Sequence, residues 1–315
     1  MDSWFKEKFG NQIVVRHVFY ESFSKEKPLS NEAILSLLDD KKKFKYMAKQ
    51  DCLGLYGASE IIKQSGLTSS DLQKKVGLGL VNSYLPFHKE DLTGLIENSS
   101  RNNEFNIDEF ITNGIRKIHP LTTFKCLPNM PMFHISVNFG IKNSYFIGYP
   151  NGLQMYHVLV WACCELQKED IDYVLIGGVE DNLNFLVTQH YLKNKLELPK
   201  EDRVGFMVLE RNIGQRISEQ GTSFILEDLI SSNAESDATS RHDNVSLLKK
   251  FSAVNKEEIL ANVYRDKLSS VSAHLNVCAL FEKLAKSRSE KNTLELTIGD
   301  SLEHHFKMTW RIKSE

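Results

Sequence analysis

Hydrophobic and polar positions along the chain change repeatedly between helical and strand-like spacing, which predicts an α/β architecture. Residues 30–39 begin with helix-capping types and continue with helical spacing. A second helix is predicted from about Tyr46 to Gln64, and Gly66 supplies its C-terminal cap. Val76–Val81 predicts a buried strand, whereas residues 88–114 are polar and predict loops and a surface helix.

The middle of the chain predicts a strand–helix–strand unit. Two strand-like runs, HISVNFGI and SYFIG, lie around the stretch from Ile135 to Ile147. A helix from Pro150 to about Gln167 follows, and then a strand at Tyr173–Gly178. A connection of this length joins parallel strands in one sheet. Another buried strand is predicted at Val204–Glu210.

The C-terminal part has fewer clear elements. Residues 231–244 are polar and predict a loop. An amphipathic helix is predicted from about Val271 to Lys286, and a terminal strand near Phe306–Ile312. No internal repeat is evident.

Composition narrows the function classes. The 315 residues are 41% hydrophobic, and 39 basic against 41 acidic residues give a net charge of −2. This balance gives no reason to expect nucleic acid or an anionic membrane as a partner. The apolar runs are too short to span a bilayer, and the opening MDSWFKEKFG carries charge where a signal peptide is apolar. We therefore expect a cytoplasmic protein.

Five cysteines occur in the sequence, an odd number without the spacing of zinc ligands. Cys163 and Cys164 fall inside the predicted apolar helix, so we expect buried thiols in a reducing compartment. No cofactor-binding pattern or metal site is predicted.

Leu127 to Asn182 carries several motifs in a characteristic order. LPNMPMFHISVNFGI is followed by YFIGYPNGLQM and, about twenty residues later, by DYVLIGGVED. This order resembles the β-ketoacyl synthases of the thiolase superfamily. Those enzymes have a proline-asparagine-methionine element, a strand, a sharp turn with the nucleophile, and a strand ending in Gly-Gly-x-Glu. Residues 41–66 and 202–224 are also similar to the family, and the resemblance weakens beyond residue 228.

The resemblance implies a thiolase-like layered αβαβα fold with a truncated C-terminal half. Residues 1–230 would form the N-terminal ketosynthase-like half, and residues 231–315 a shortened second half of the same fold. The stretch between Asp228 and Val271 is too short for the strands and helices that the family usually has there.

The nucleophile that the family requires is missing. A ketosynthase uses a cysteine thiolate at a helix N-terminus, where the helix dipole and backbone N–H groups favour the anion. The resemblance places Tyr149 at that position, and no cysteine lies between Cys126 and Cys163. A phenol, with an ordinary pKa of about 10, is a poor acyl acceptor at neutral pH. We interpret Tyr149 as a degenerate nucleophile position that fills the unused pocket.

The two catalytic histidines of the family also have weak counterparts. No His-Gly-Thr sequence occurs, and His242 lies in the wrong context. His274 matches the second histidine in pattern and is a candidate for residual chemistry, although a helix-start histidine without a role is the simpler interpretation. His304 and His305 are adjacent, so they point to different faces and make poor joint metal ligands.

A ketosynthase-like chain without its nucleophile resembles a chain length factor. Such a subunit pairs with an active ketosynthase, and the strand before the nucleophile turn, here about Ser144–Gly148, joins the two sheets. The growing acyl chain extends into a tunnel at the interface, and acyl carrier protein is contacted through the partner. Besides Tyr149, the candidates for tunnel or interface residues are Phe124, Leu127, Met130 and Phe133. Each of them also fits an ordinary core role.

Two other functions stay open. The chain could be an accessory scaffold that binds synthase components or acyl carrier protein through a polar, transient interface. It could also be an acyl-transfer or hydrolysis enzyme in which Tyr149 and His274 act as acid or base. Independent catalysis is not expected from the chain length factor interpretation.

Overall fold

The computed structural model describes residues 4–83, 89–148, 154–193, 195, 197–212, 222–233, 271–287, 293–299 and 304–314. The helices, strands and contacts named below all lie within these residues.

A mixed sheet of eight strands forms the centre of the molecule, in the order β5-β2-β6-β7-β1-β8-β10-β9. A separate pair, β3 with β4, forms a short antiparallel ladder. The strands are β1 (Ile13–Ser24), β2 (Val76–Asn82), β3 (Ser100–Arg101), β4 (Glu104–Phe105), β5 (Tyr145–Gly148), β6 (Tyr173–Glu180), β7 (Glu201–Arg211), β8 (Thr222–Asn233), β9 (Thr293–Gly299) and β10 (His304–Ser314).

Helices connect and cover the strands. They are α1 (Trp4–Phe9), α2 (Asn31–Leu37), α3 (Lys49–Ser65), α4 (Ser69–Lys74), α5 (Lys89–Glu97), α6 (Ile107–Glu109), α7 (Pro120–Lys125), α8 (Met130–Phe139), α9 (Gln154–Glu165), α10 (Phe185–Lys193) and α11 (Val271–Ser287). A 3-10 turn at Lys41–Tyr46 precedes α3, and α6 continues through a π-helical turn (Phe110–Gly114) into a 3-10 turn (Ile115–Lys117). Among the described residues, no helix is both long and apolar enough to cross a membrane.

The sheet is buried on both faces because its strands alternate between two hydrophobic clusters. In β7, Val204, Phe206 and Val208 pack with α3 and α8, whereas Met207 and Leu209 pack with α9 and α11. This alternation follows from the period of two in a strand. The fold is therefore a sheet between two helical layers.

Local signals in the sequence explain where α3 begins and ends. The Asp51 carboxylate accepts a hydrogen bond from the Ala48 backbone N–H (2.6 Å) at the N-terminus of the helix. The helix ends at Gly66, whose φ of +65° is the left-handed conformation that glycine adopts without strain. Within α3, a Cβ at Gly57 would lie 2.5 Å from the Val204 side chain, so glycine permits close packing on β7.

Most predicted elements are confirmed. The helix ending at Gly66 is α3, and the buried strand at Val76–Val81 is β2. The predicted parallel relation also holds, since β5 and β6 both pair in parallel with β2, which lies between them.

The strand predicted for HISVNFGI is wrong, because most of this run belongs to helix α8. The alternation of His134, Ile135, Ser136 and Val137 imitates a strand. Pro131 in the first helical turn and Gly140, with φ +70° at the C-cap, are helix-boundary signals, and they favour a helix despite this alternation. Ile135 is buried and Val137 is exposed, as helical geometry requires.

The loop predicted for residues 231–244 begins too early, since β8 continues to Asn233 in antiparallel pairing with β10. Residues 234–244 lie outside the described part. The division predicted between residues 230 and 231 falls inside β8 and stays a prediction. In the central sheet, β1, β8 and β9 were not predicted, although β1 and β8 lie in the interior of the sheet.

Candidate functional site

The ends of β2, β5 and β6 meet at one edge of the sheet, because the three strands are parallel. The resemblance to the β-ketoacyl synthases implies that the nucleophile turn lies at this edge, between Gly148 and α9. Tyr149 and the other residues of the turn, 150–153, lie outside the described residues, so the assignment of Tyr149 stays a prediction. The flanking residues are described, and they define the base of the site.

Gln154 holds the two sides of this turn together. It is fully buried, and its Nε2 donates hydrogen bonds to the backbone oxygens of Gly148 and, at 3.3 Å, Asn82. A Cβ at Gly148 would lie 2.5 Å from Gln154 Cγ, so a larger residue would push this side chain away. The start of α9 is thus fixed to the ends of β5 and β2.

Asn82 and Ser83 close the base of the site behind Gln154. The Asn82 side-chain amide donates to the Pro128 carbonyl, which ties β2 to the segment before α8. The Ser83 backbone N–H donates to the Val179 carbonyl (3.2 Å) at the end of β6. Both side chains are buried, so this edge of the sheet is lined by polar groups.

No described cysteine lies at the start of α9. All five cysteines are free, and Cys163 is nine residues beyond Gln154, about 14 Å along the helix axis. Burial raises the pKa of the Cys163 thiol well above its ordinary range. Burial also raises the pKa of Cys52 to about 12 and that of Cys278 well above normal. These three thiols stay protonated at neutral pH.

His274 lies in the first turn of α11, with its side chain fully buried against β6 and β7. Its Nε2 is 3.2 Å from the Gly205 carbonyl oxygen and 3.4 Å from Cys278 Sγ. A Cβ at Gly178 would lie 2.5 Å from the imidazole ring, so the histidine fills the space that this glycine leaves. Burial lowers the pKa of His274 to about 4, and the ring is neutral at physiological pH. Its assignment as a residual acid or base stays a prediction.

The other histidines give no metal site. His242 lies outside the described residues. His304 and His305 are consecutive in β10, opposite Asn233 and Ser232 of β8. Within the described chain, no three His, Cys, Asp or Glu side chains are grouped closely enough to hold a metal ion.

A buried ion pair, which sequence reasoning missed, lies at the end of β6. Glu180 and Arg203 have side chains only 1% and 18% exposed, and Arg203 Nε donates to Glu180 Oε2 (2.6 Å). Arg203 also donates to Asn276 Oδ1 of α11 (3.1 Å), and Asn182 donates to Glu180 (2.9 Å). Burial disfavours the charged guanidinium, but the attraction to Glu180 outweighs it and raises the pKa of Arg203.

A second charged group joins the start of α3 to the same part of the sheet. Lys49 Nζ lies 2.9 Å from Asp181 Oδ1 and 2.7 Å from Asp202 Oδ2. Burial is the main cause that raises the pKa of Asp202, and the ammonium of Lys49 opposes it. In the sequence, the Gly-Gly-x-Glu-Asp motif was the only signal for the Glu180–Arg203 pair and for the cluster around Lys49, because the partners within each are distant in sequence.

Another buried pair links α3 to α8. His134 Nε2 lies 3.9 Å from Asp51 Oδ2, and both side chains are almost completely buried. Burial raises the pKa of Asp51 to about 7 and lowers that of His134 to about 4. The aspartic acid therefore gains a proton more readily, and the histidine less readily, than in the unfolded chain.

Three of the predicted tunnel or interface residues lie at the surface. Phe124, Leu127 and Phe133 are 47%, 43% and 46% exposed. Phe124 and Phe133 also line a cavity of about 270 Å³, together with Tyr46 and Val137. Met130 differs from them, because it is 3% exposed and belongs to the interior. The structure thus brings Phe124 and Phe133 together at one cavity, and Met130 is buried and does not line it.

Strand β5 forms one end of the eight-stranded sheet. The Leu78 backbone N–H donates to the Ser144 carbonyl (3.0 Å). Backbone groups of a strand alternate in direction, so the N–H and C=O of Tyr145 point away from β2. No described strand pairs with β5 on that side, and an open strand edge can accept a further strand.

Comparisons with known proteins agree with this topology. No protein-family model and no curated protein matches the chain. Solved structures do match. One is a type II polyketide synthase ketosynthase in complex with its acyl carrier protein (TM-score 0.66, 13% identity, 96% of this chain and 99% of that chain).

A second is the ishigamide ketosynthase/chain length factor (TM-score 0.58, 12% identity, 95% of this chain and 99% of that chain). A third is the oxazolomycin ketosynthase domain from Streptomyces albus (TM-score 0.61, 8% identity, 96% of this chain and 76% of that chain). Identities this low establish the fold alone. The chain therefore has the thiolase-like α/β fold of the ketosynthases.

Proposed function

We propose that this chain is a non-condensing ketosynthase-like subunit, a chain length factor, that pairs with an active ketosynthase in type II polyketide or fatty-acid biosynthesis. The observation that carries the proposal is the missing thiol: no cysteine occurs between Cys126 and Cys163, although the described elements on both sides of the nucleophile turn are retained. Structures of a ketosynthase/chain length factor and of a type II ketosynthase share the fold, which supports the proposal.

Pairing with the ketosynthase uses the open edge of β5. The backbone N–H and C=O of Tyr145 face this edge, and its side chain is exposed. The exposed apolar side chains of Phe124, Leu127 and Phe133 would add to the interface, which is the composition expected of a stable one. Acyl carrier protein is recruited through the partner.

Within the complex, Phe124 and Phe133 limit the length of the acyl chain. The cavity that they line has a volume of about 270 Å³, and bulky walls restrict what enters it by excluded volume. Phe133→Ala should shift products towards longer chains. Met130→Ala is the matched control, since Met130 is buried and does not line the cavity, and this change should lower stability without lengthening products.

The test is co-expression with the ketosynthase encoded beside this gene, followed by size exclusion with mass detection. A stable one-to-one complex is expected. Tyr145→Pro removes an N–H that faces the open edge and should weaken the complex. Tyr145→Ala removes the same side chain but keeps the N–H, and should weaken it less. If the chain runs as a monomer or homodimer and ignores the ketosynthase, the proposal is wrong, and the chain should then be assayed alone for acyl-thioester chemistry.

A further inference from the structure

The cavity that Phe124 and Phe133 line is not purely apolar. Its walls come from residues 38–46, α7 and α8, and five of its lining side chains are aliphatic or aromatic. They are Leu38, Tyr46, Phe124, Phe133 and Val137. Three polar side chains also line it, and a few polar groups in an apolar cavity usually decide which ligand binds.

Two of the three polar side chains belong to α8. His134 and Asn138 are four residues apart, so they lie one above the other along the helix. Phe133 and Val137 have the same spacing and lie next to them. Helix α8 therefore gives the cavity an apolar pair and a polar pair, side by side.

The imidazole of His134 has unused hydrogen-bonding capacity. Its side chain is 5% exposed, and its Nε2 is buried without a hydrogen-bond partner among the described residues. Asp51 Oδ2 lies 3.9 Å from this nitrogen, which is too far for a hydrogen bond. Burial lowers the pKa of His134 to about 4, so at pH 7 the ring is neutral, with one N–H donor and one acceptor nitrogen.

Asn138 uses only one end of its side-chain amide. Its Nδ2 donates to the Leu37 carbonyl oxygen (2.8 Å), which fixes the orientation of the amide. Its Oδ1 is buried and accepts no hydrogen bond from the described residues. Buried polar atoms are nearly always paired, because an unpaired one loses its hydration without compensation. Two such atoms on one helix face at a cavity indicate a polar group on the ligand.

We propose that His134 and Asn138 form a polar subsite for a hydroxyl group on an acyl chain held in this cavity; the choice of an acyl chain rests on the proposed function. A hydroxyl can accept from the imidazole N–H and donate to Asn138 Oδ1 at the same time. A keto oxygen only accepts, so it leaves Oδ1 unpaired, and a methylene group pairs with neither side chain. The subsite therefore favours an alcohol over a ketone, and a ketone over a saturated chain.

The third polar side chain, Lys43, does not explain the two unpaired atoms. Its Nζ donates to both carboxylate oxygens of Asp39, at 2.7 and 2.9 Å. An anionic ligand group would have to compete with this carboxylate. Probes that share one carboxylate would gain equally from Lys43, so a difference between them reports on the rest of the cavity.

Three probes of equal length test the subsite by isothermal titration calorimetry on the full chain at pH 7: decanoate, 9-oxodecanoate and 9-hydroxydecanoate. The alcohol should bind roughly tenfold more tightly than decanoate, with the ketone between them, because each hydrogen bond made to a buried unpaired group adds affinity. His134→Phe and Asn138→Leu should each reduce this preference to less than about threefold. Val137→Ala is the matched control on the same helix, and it should weaken all three probes while keeping their order.

The outcomes separate the subsite from the proposed function. The wild-type order needs no variant, so it decides the matter even if a variant fails to fold by circular dichroism. Equal affinities for the three probes, or no binding of any of them, would overturn the subsite even if the chain forms a complex with the ketosynthase. A preference for the alcohol in a chain that forms no such complex would support the subsite and refute the proposed function.

Discussion

Replacing Arg203 by methionine should lower the free energy of unfolding by about 3–5 kcal/mol, because it removes the positive charge that faces a buried carboxylate. Glu180 is 1% exposed, so water cannot replace the guanidinium. The change also removes the hydrogen bond to Asn276, and with it a link between β7 and α11. Methionine keeps most of the apolar volume, so cavity formation adds little to the expected loss.

Urea denaturation followed by circular dichroism measures this loss, and two further variants make it specific. Adding Glu180→Gln to Arg203→Met should restore much of the stability, because no uncompensated charge then remains in the interior. Arg101→Met is the matched surface control. It breaks an arginine–glutamate pair in which Arg101 is 66% exposed, and should cost less than about 1 kcal/mol. The reasoning fails if Arg203→Met and Arg101→Met destabilise equally.

Three further outcomes follow from the described packing and pKa values. Gly57→Val should destabilise the fold by about 1–3 kcal/mol, because even a Cβ at this position would overlap side chains of β7. Thermal unfolding measures the loss, and an unchanged melting temperature would contradict the described packing. In the folded chain the pKa of His134 is about 4 instead of 6.5, so its neutral ring stabilises the fold above pH 6.5, and this contribution is lost as the pH falls towards 4. The pKa of Asp51 is about 7 in the folded chain, so its protonation stabilises the fold as the pH falls below 7. Asp51→Asn should therefore lose stability more steeply than wild type between pH 7 and 4; equal slopes in pH-dependent denaturation would refute this. Cys163 and Cys278 should resist iodoacetamide in the native chain and react after unfolding, and native labelling seen by mass spectrometry would show that they are accessible.

The elements that could be predicted from the sequence are those whose boundaries carry their own chemical signals. Helix α3 ends at Gly66, and β2 is a continuous apolar run that is buried at every position. Strand β1 gave a weaker signal, because Arg16, His17 and Glu21 interrupt its apolar positions. The sheet stabilises β1 through β7 and β8, which are far away in sequence, so local pattern alone could not identify it.

The charged clusters could not be predicted for the same reason. Glu180 and Arg203 belong to neighbouring antiparallel strands, where the ladder places them directly opposite each other. Lys49 comes from α3 and meets Asp202 only because the helix packs across the sheet. A sequence shows that a charge is present, whereas the register and the helix packing decide whether it is buried with a partner.

In the proposed chain length factor, the elements on either side of the nucleophile turn are held by contacts of their own. A catalytic thiolate depends on the side chain at the turn, whereas the described contacts join the elements that flank it. Gln154 binds the backbone oxygens of Gly148 and Asn82, and Asn82 binds the Pro128 carbonyl. These hydrogen bonds, all between described residues, hold β2, β5 and α9 together on both sides of the turn. In the proposed chain length factor, they keep the open edge of β5 in place for the partner although the nucleophile is replaced.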